Sequence, residues 1–578
     1  MAADITPRLH PATDPAAAAA RAARRAATVA DEGTADLVLT GGAVYTVDAA
    51  RSTAEAIAVR GSRIVAIGPA AQLRARIGPR TRVVALRGRT VLPGFGDAHV
   101  HPTHAGLAMA RCELHGTRGV ESYLEVVRAY ATAHPEQAWI RGAGWHMDDF
   151  PGGNPTRDLI DRVVPDRPVY LPSRDGHSVW VNSRALELAG VSADTPDPKD
   201  GVIVREPDGR PAGTLHEGAT ALVGRIVPAD TPGEVEDGLR AGQRYLHALG
   251  ITQWQDAIVE PRDEAAYRAL DGRGELTARV IGALWWERAG GAGQIEALVE
   301  RRAAGPRDGR FAATSVKIMQ DGVLENFTGA MLEPYLGADG RPTTNRGISM
   351  IEPEALEGHV TALDALGFQV HVHAIGDRAV REALDAFEAA REANGAGAGR
   401  HHISHIQVIH PADVPRFRAL GVAANMQPLW ACHEGQMDRL TIPFLGPERA
   451  RHQYPFRSLY RAGATLVAGS DWPVSTPNPL EEIEVAVERV FPSPRGQQPP
   501  FLPDERLDLP VAIAAFTAGT AWINHCGDET GTLEPGKQAD LAVLDRDLFD
   551  RGAGAIGDAR VVATFVDGRP VFEDGLEA

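Results

Sequence analysis

The sequence predicts an α/β protein built on a distorted (β/α)8 barrel, with a discontinuous β sandwich made from the two ends of the chain and an insertion after the first barrel strand. Three observations carry this expectation. Strand-like apolar runs alternate with amphipathic stretches through the middle of the chain. Short, Gly-punctuated β runs precede and follow that region. Potential ligand residues recur at the ends of the strand-like runs, where a barrel of this kind keeps its active site.

In chain order, residues 1–35 scatter arginines through alanine, as in PATDPAAAAARAARRAATVADEG, with no apolar run after Arg24 and Arg25. This reads as a frayed helix or disordered tail rather than a secretory signal. Residues 36–92 hold ADLVLTGGAVYTVD, AIAVRGSRIVAIG and TRVVALRGRTVLP, and residues 526–578 repeat the style in ADLAVLDRDL and ARVVATFVDGRPVFEDG. Neither piece is large enough for a core of its own, so the two are expected to pack together. Residues 93–112 carry the first barrel strand. Residues 113–214 break the β/α alternation and are expected to cover the barrel mouth, and 215–525 supply the rest of the barrel. The eight candidate strands are FGDAHVH, ITQWQDA, LTARVIGALWW, TSVKIMQDG, FQVHVHAIG, HHISHIQ, GVAANMQP and ATLVAGSDWP. Val380, Leu384 and Phe387, after the fifth, recur at helical spacing.

A net charge of −17 over 578 residues disfavours nucleic acid and anionic membrane surfaces as partners, because both reward clustered Lys and Arg. No run is long and apolar enough to span a bilayer. The three cysteines are too few and too scattered for a disulfide framework. A cytoplasmic protein with a small-molecule substrate is the expectation.

The strand ends carry His99 and His101 on the first strand, Lys317 on the fourth, His373 on the fifth, His405 on the sixth and Asp471 on the eighth. His99 and His101 share a face because the side-chain period of a strand is two. A single histidine in a strand is usually a hydrogen-bonded core residue. Nitrogen and oxygen donors at the same end of five strands have no packing rationale, and they are what a catalytic zinc site requires. Lys317 is one of only three lysines in a Lys+Arg total of 59. Buried in SVKIM, its amine can lose a proton and add carbon dioxide to give a carbamate, an anionic ligand able to bridge two cations. An ordinary ion pair with Asp321, which has the same strand parity, is the equal alternative.

The set LPGFGDAHVHP, VKIMQDG, HVHAIGDRAV, ISHIQ, AGSDWPV and GTLEPGKQADLAVLD resembles the amidohydrolase superfamily, in its amidohydrolase 3 (YtcJ-like) group, which includes N-substituted formamide deformylase. WHMDDFPGGNPTRDLIDRVVPDRPVYL and SRDGHSVWVNSRAL extend the likeness into the insertion. The resemblance implies that His99, His101 and Asp471 bind the more buried metal, that His373 and His405 bind a second, and that carboxylated Lys317 bridges them. The cations implied are one or two zinc ions, with manganese or iron as substitutes. His371 and His401 are weaker ligand candidates. The reaction implied is hydrolysis of a linear amide, an N-formyl or N-acyl amine, in which Asp471 takes the proton of the attacking water and returns it to the departing nitrogen. Opening of a cyclic amide or lactone, or deamination, is the alternative, and a binding protein without catalysis a third. Trp145, Asp175, His177, Trp180, Asp321 and Asp377 are the candidates for holding substrate, with plain packing the competing role for each tryptophan. Glu217 is a further motif position. His146 stands where relatives usually carry an acidic residue. A homodimer is implied by the resemblance alone.

Overall fold

The computed structural model describes residues 33–305, 309–550 and 555–576, so the tail expected over 1–35 lies almost wholly outside the described residues. The central sheet has eight parallel strands paired in chain order: Phe95–Val100, Ile251–Val259, Arg279–Trp285, Phe311–Met319, Gln369–Ala374, His402–His405, Ala423–Met426 and Thr465–Ala468. Each coincides with one of the eight candidate runs, although Ile251–Val259 continues two residues past its run and Phe311–Met319 begins three residues before its own. Helices such as Pro261–Gly272, Ile295–Ala303, Pro353–Ala365 and Asp377–Asn394 connect them. Their apolar faces pack on the strands in one large core, with Val380, Leu384 and Phe387 buried as their spacing predicts.

The first and eighth strands close the barrel through side chains and loop backbone rather than a regular ladder. Asp97 Oδ1 accepts from the backbone N–H of His99 and of Ser470, each at 3.0 Å, and Asp97 Oδ2 accepts from Ser470 Oγ at 2.5 Å. Asp471 N then donates to His99 O at 2.7 Å, and His101 N to Trp472 O at 2.9 Å. Gly469 makes this approach possible: a Cβ there would collide with His99 N. The seam thus sets two ligand-bearing segments side by side.

Both ends of the chain contribute to one further eight-stranded sheet. Val561–Val566 pairs with Leu541–Leu544, which lies antiparallel to Thr90–Pro93; that strand pairs in parallel with Leu37–Tyr45, which pairs antiparallel with Thr53–Arg60. Its core mixes Leu39, Ile57 and Val91 with Leu541, Val543 and Phe565.

The insertion is a third unit. Its six-stranded sheet runs from Cys112–Glu113 to Pro211–Glu217 and has its own apolar clusters. Helix Pro232–Ala248 returns the chain to the barrel, started by a capping box in which Thr231 and Glu234 satisfy each other's backbone N–H.

Candidate metal centre

A cavity of about 460 Å³ opens at the C-terminal ends of the strands and is lined by all six sequence-predicted ligands: His99, His101, Lys317, His373, His405 and Asp471. All six are buried. Asp471 is the hub. Its Oδ1 lies 2.9 Å from His101 Nε2 and 3.3 Å from His99 Nε2, and its Oδ2 lies 4.0 Å from His405 Nδ1. The His405 ring is 4.7 Å from that of His99 and 4.5 Å from that of His373, centroid to centroid. His405 and Asp471 both sit at positive φ, 79° and 57°. Such backbone costs about 1–3 kcal/mol per residue and collects where function fixes a side chain.

The proton positions follow from hydrogen bonds that begin at the barrel floor. Gln369 Nε2 donates to the carbonyls of Ile523 and Arg400, at 2.8 and 3.1 Å, which leaves its Oε1 to accept from Gln255 Nε2 at 2.8 Å. Gln255 Oε1 then accepts from His371 Nδ1 at 2.7 Å, so His371 Nε2 is an acceptor. Ser404 Oγ–H donates to it and accepts from His99 Nδ1 at 2.9 Å, a nitrogen that itself lies 3.0 Å from His371 Nε2. His99 therefore turns the lone pair of Nε2 toward Asp471. Burial drives the His99 imidazole down to about 3, which keeps it neutral. Burial also opposes the charge on Asp471, but the His101 ring, whose Nε2 meets Oδ1 at 2.9 Å, favours it, and the carboxyl lies well below its usual range.

A lone pair aimed at a carboxylate oxygen is repulsive unless a cation lies between them. The Nδ1 atoms of His101 and His405 are buried without any hydrogen-bond partner. The donor set is therefore what a divalent cation needs: neutral imidazoles, an ionised carboxylate and unanswered ring nitrogens. His99, His405 and Asp471 bring their donor atoms within 4.8 Å of one another. Beside the cavity wall at His104, a second group, His104, Glu260 and Asp263, also brings its donor atoms within 4.8 Å of one another. There Arg262 Nη2 lies 3.3 Å from His104 Nε2, and Glu260 and Asp263 also cap helix Pro261–Gly272.

Lys317 forms no ion pair with Asp321, contrary to the alternative reading of the sequence. Three backbone N–H groups, those of Ala330, Ile375 and Gly376, occupy both Asp321 oxygens at 2.8–2.9 Å. Burial lowers the Lys317 ammonium to about 8, against the attraction of Asp471.

The six candidates for holding substrate separate into three groups. Asp175 and His177 line the cavity. His177 Nδ1 donates to both Glu217 oxygens at 3.0 and 3.1 Å, and its ring lies 5.3 Å from that of His373. Thr328 Oγ1 and Asn326 Nδ2 donate to the same Glu217 carboxylate. Asp321 stands behind the cavity, 3.4 Å from His373 Nε2, and Gly322 O is 3.3 Å from the same nitrogen. These contacts occupy Nε2 and leave Nδ1 of His373 for a cation. Asp377 is taken up by Leu332 N–H at 2.8 Å and does not line the cavity. Trp145 and Trp180 do not line it either. They meet edge to face at 6.4 Å inside the insertion, with both indole N–H groups satisfied by backbone carbonyls. The competing packing role describes them. His401 bonds Asp364 at 2.9 Å, away from the centre.

Sequence reasoning did not foresee the support beneath the ligands from Gln255, Gln369, His371 and Ser404. A signal was present in ITQWQDA, where Gln253 and Gln255 alternate with apolar residues and so share one face of their strand.

The profile of the amidohydrolase family matches residues 82–572. The chain is 32% identical to Protein LONG AFTER FAR-RED 3 of Arabidopsis thaliana, across 93% of this chain and 92% of that protein. It is 29% identical to the N-substituted formamide deformylase of Arthrobacter pascens, across 92% and 97%. Among solved structures, an uncharacterized metal-dependent hydrolase from Pyrococcus furiosus matches with a TM-score of 0.67 at 25% identity, covering 88% of this chain and 99% of that one.

Proposed function

We propose that this chain, which belongs to the amidohydrolase family, is a hydrolase of linear amides, with an N-formyl or N-acyl amine as substrate. Metal-dependent hydrolysis of a carbon–nitrogen bond is common ground for the family and the donor clusters; the linear amide is the finer reading, and the likeness to a formamide deformylase supports it. His99, His101, Lys317, His373, His405 and Asp471 would hold a divalent cation, zinc in this proposal, which would supply the Lewis acidity that lowers the pKa of water and polarises a carbonyl.

The protein's own groups do the rest. Asp471, ionised and reached by two imidazoles, accepts the proton of the attacking water and passes it to the departing nitrogen. His177, fixed by Glu217 and facing the ligand rings, donates to the carbonyl oxygen as negative charge develops there. The Lys317 amine adds carbon dioxide with loss of one proton and becomes a carbamate ligand. Trp430 stacks on His405, 5.3 Å between ring centres, and keeps that ligand's face from water.

The observation that carries the reading is the meeting of His99, His405 and Asp471 donor atoms within 4.8 Å of one another, in a buried cavity that His101, Lys317 and His373 also line. The test is a set of N-formyl and N-acyl amines, with cyclic amides and lactones beside them, offered to metal-replete protein, to chelated protein and to Lys317→Ala. Amine release confined to the metal-replete wild type supports the proposal. Release that survives both chelation and the substitution, or turnover of cyclic substrates alone, overturns it.

A further inference from the structure

A second chamber of about 390 Å³ adjoins the metal cavity, and the two share His115, Arg174, Pro473 and Val474 as walls. Its remaining surface is mainly flat and apolar, from Met109, Tyr245, Trp430, Trp472 and Phe491. Two of these are tied to the ligands: Trp472 follows Asp471 directly, and Trp430 lies parallel to the His405 ring. Tyr245, Phe491 and Met109 remain 38%, 38% and 49% exposed, and the grouping of three such side chains on the walls of one chamber marks surface kept for a ligand.

The charges around the chamber select further. Glu113, Glu434 and Glu481 line it against one cation, Arg174, which Glu434 already faces at 3.4 Å. Burial drives the His146 imidazole down to about 3, so it contributes no positive charge. Glu113 is met by His115 and Glu434 by Arg174, so the lining offers an anionic group no spare cation. Two buried donors, Trp430 Nε1 and Arg174 Nε, have no hydrogen-bond partner in the protein, and Arg174 stands at the junction of the two cavities.

We infer that this chamber is a substrate subsite, and that it receives an uncharged aromatic group carried by one of the two substituents of the scissile carbon–nitrogen bond. This rests on the linear-amide reading of the metal centre and adds to it a class of substrate. The aromatic group stacks among Tyr245, Trp430 and Phe491, while a hydrogen-bond acceptor near the linkage answers Arg174 Nε–H. Pro473 and Val474 form the ridge over which the linkage passes.

The experiment uses metal-replete protein and two pairs of amides. In one pair the amine side is methyl or 2-phenylethyl; in the other the acyl side is acetyl or 3-phenylpropanoyl. Wild type is expected to favour the aryl member of one pair at least tenfold in kcat/KM. Phe491→Ala and Tyr245→Ala are expected to raise KM for that member about tenfold and to leave the small amides within twofold. Calorimetric titration with 2-phenylethanol, and with phenylacetate as the anionic counterpart, reads the chamber without turnover; the alcohol is expected to bind at least tenfold more tightly, and Phe491→Ala to weaken it. Amide turnover with no aryl preference, or equal losses on all substrates in both variants, overturns the subsite and leaves the amide reading standing. Absence of amide turnover together with Phe491-dependent binding of the alcohol overturns the amide reading and leaves the chamber standing as an aryl site. Equal affinity for alcohol and carboxylate overturns the charge argument.

Discussion

His371 Nε2 lies 3.0 Å from His99 Nδ1, one strand repeat below the fifth-strand residue His373, which faces the cavity. Both ring nitrogens of His371 are engaged, by Gln255 on one side and by Ser404 and His99 on the other, so it supports His99 from beneath. Its own tautomer is fixed by Gln255, and that amide by Gln369. Replacing His371 by Ala is expected to weaken zinc affinity 10–100-fold, as loss of a ligand's hydrogen-bond partner usually does. Competition against a chromogenic chelator measures this directly, and Gln255→Leu is expected to shift affinity in the same direction by less.

Glu217→Gln removes the charge that holds His177 while keeping hydrogen bonds to Thr328 and Asn326 within reach. At present Glu217 raises the His177 imidazole to about 9 against the effect of burial. The substitution is expected to lower kcat about 10²-fold with KM changed little, since the interaction lost belongs to the transition state. Steady-state kinetics on one amide, with zinc content measured in parallel, checks that the loss is not one of metal.

His247 ties helix Pro232–Ala248 to the barrel. Its Nδ1–H donates to Ile251 O at 2.8 Å, and its Nε2 accepts from Thr277 Oγ1 at 2.7 Å. Burial lowers its pKa from 6.5 to about 4. Above pH 6.5 neither folded nor unfolded chain binds the proton there, so the group is neutral in stability. Between 6.5 and about 4 the unfolded chain binds it and the folded chain does not, so stability falls as pH falls. His247→Gln is expected to lose less stability than wild type between pH 7 and 4.5, by about 3 kcal/mol at most. Thermal unfolding at the two pH values reads the difference.

The β unit is fastened to the barrel by charge. Arg279 pairs with Asp540 and Asp567, and Arg310 Nη2 meets Asp567 Oδ2 at 2.5 Å. The Asp540 side chain is fully buried. Arg279→Ala strands that carboxylate and is expected to cost about 3 kcal/mol, seen as a lower midpoint in urea. Arg240→Ala, which removes more exposed pairs on a helix surface, is expected to cost about 1 kcal/mol or less.

The barrel was readable because its strands are short apolar runs, and the ligands because they are polar residues set into those runs at one end. The two halves of the β unit were readable because neither has an interior of its own. The roles within the insertion were not. Trp145 and Trp180 lie in a motif-rich segment, and their burial depends on Phe150 and on Tyr123 of helix Val120–Ala133, whose approach no local pattern fixes. Asp321 has the parity of Lys317, but its partners come from residue 330 and from the end of the fifth strand. Parity gives the side of a strand; it does not say which nonlocal N–H groups arrive there.

The central claim is that His99, His101, Lys317, His373, His405 and Asp471 surround a common cation site. Anomalous diffraction at the zinc edge from crystals of zinc-loaded protein tests it most directly. The account predicts one or two peaks among these six side chains, at coordination distance from Asp471 and His99. Peaks found only at His104, Glu260 and Asp263, or no peak within reach of Asp471, would contradict it.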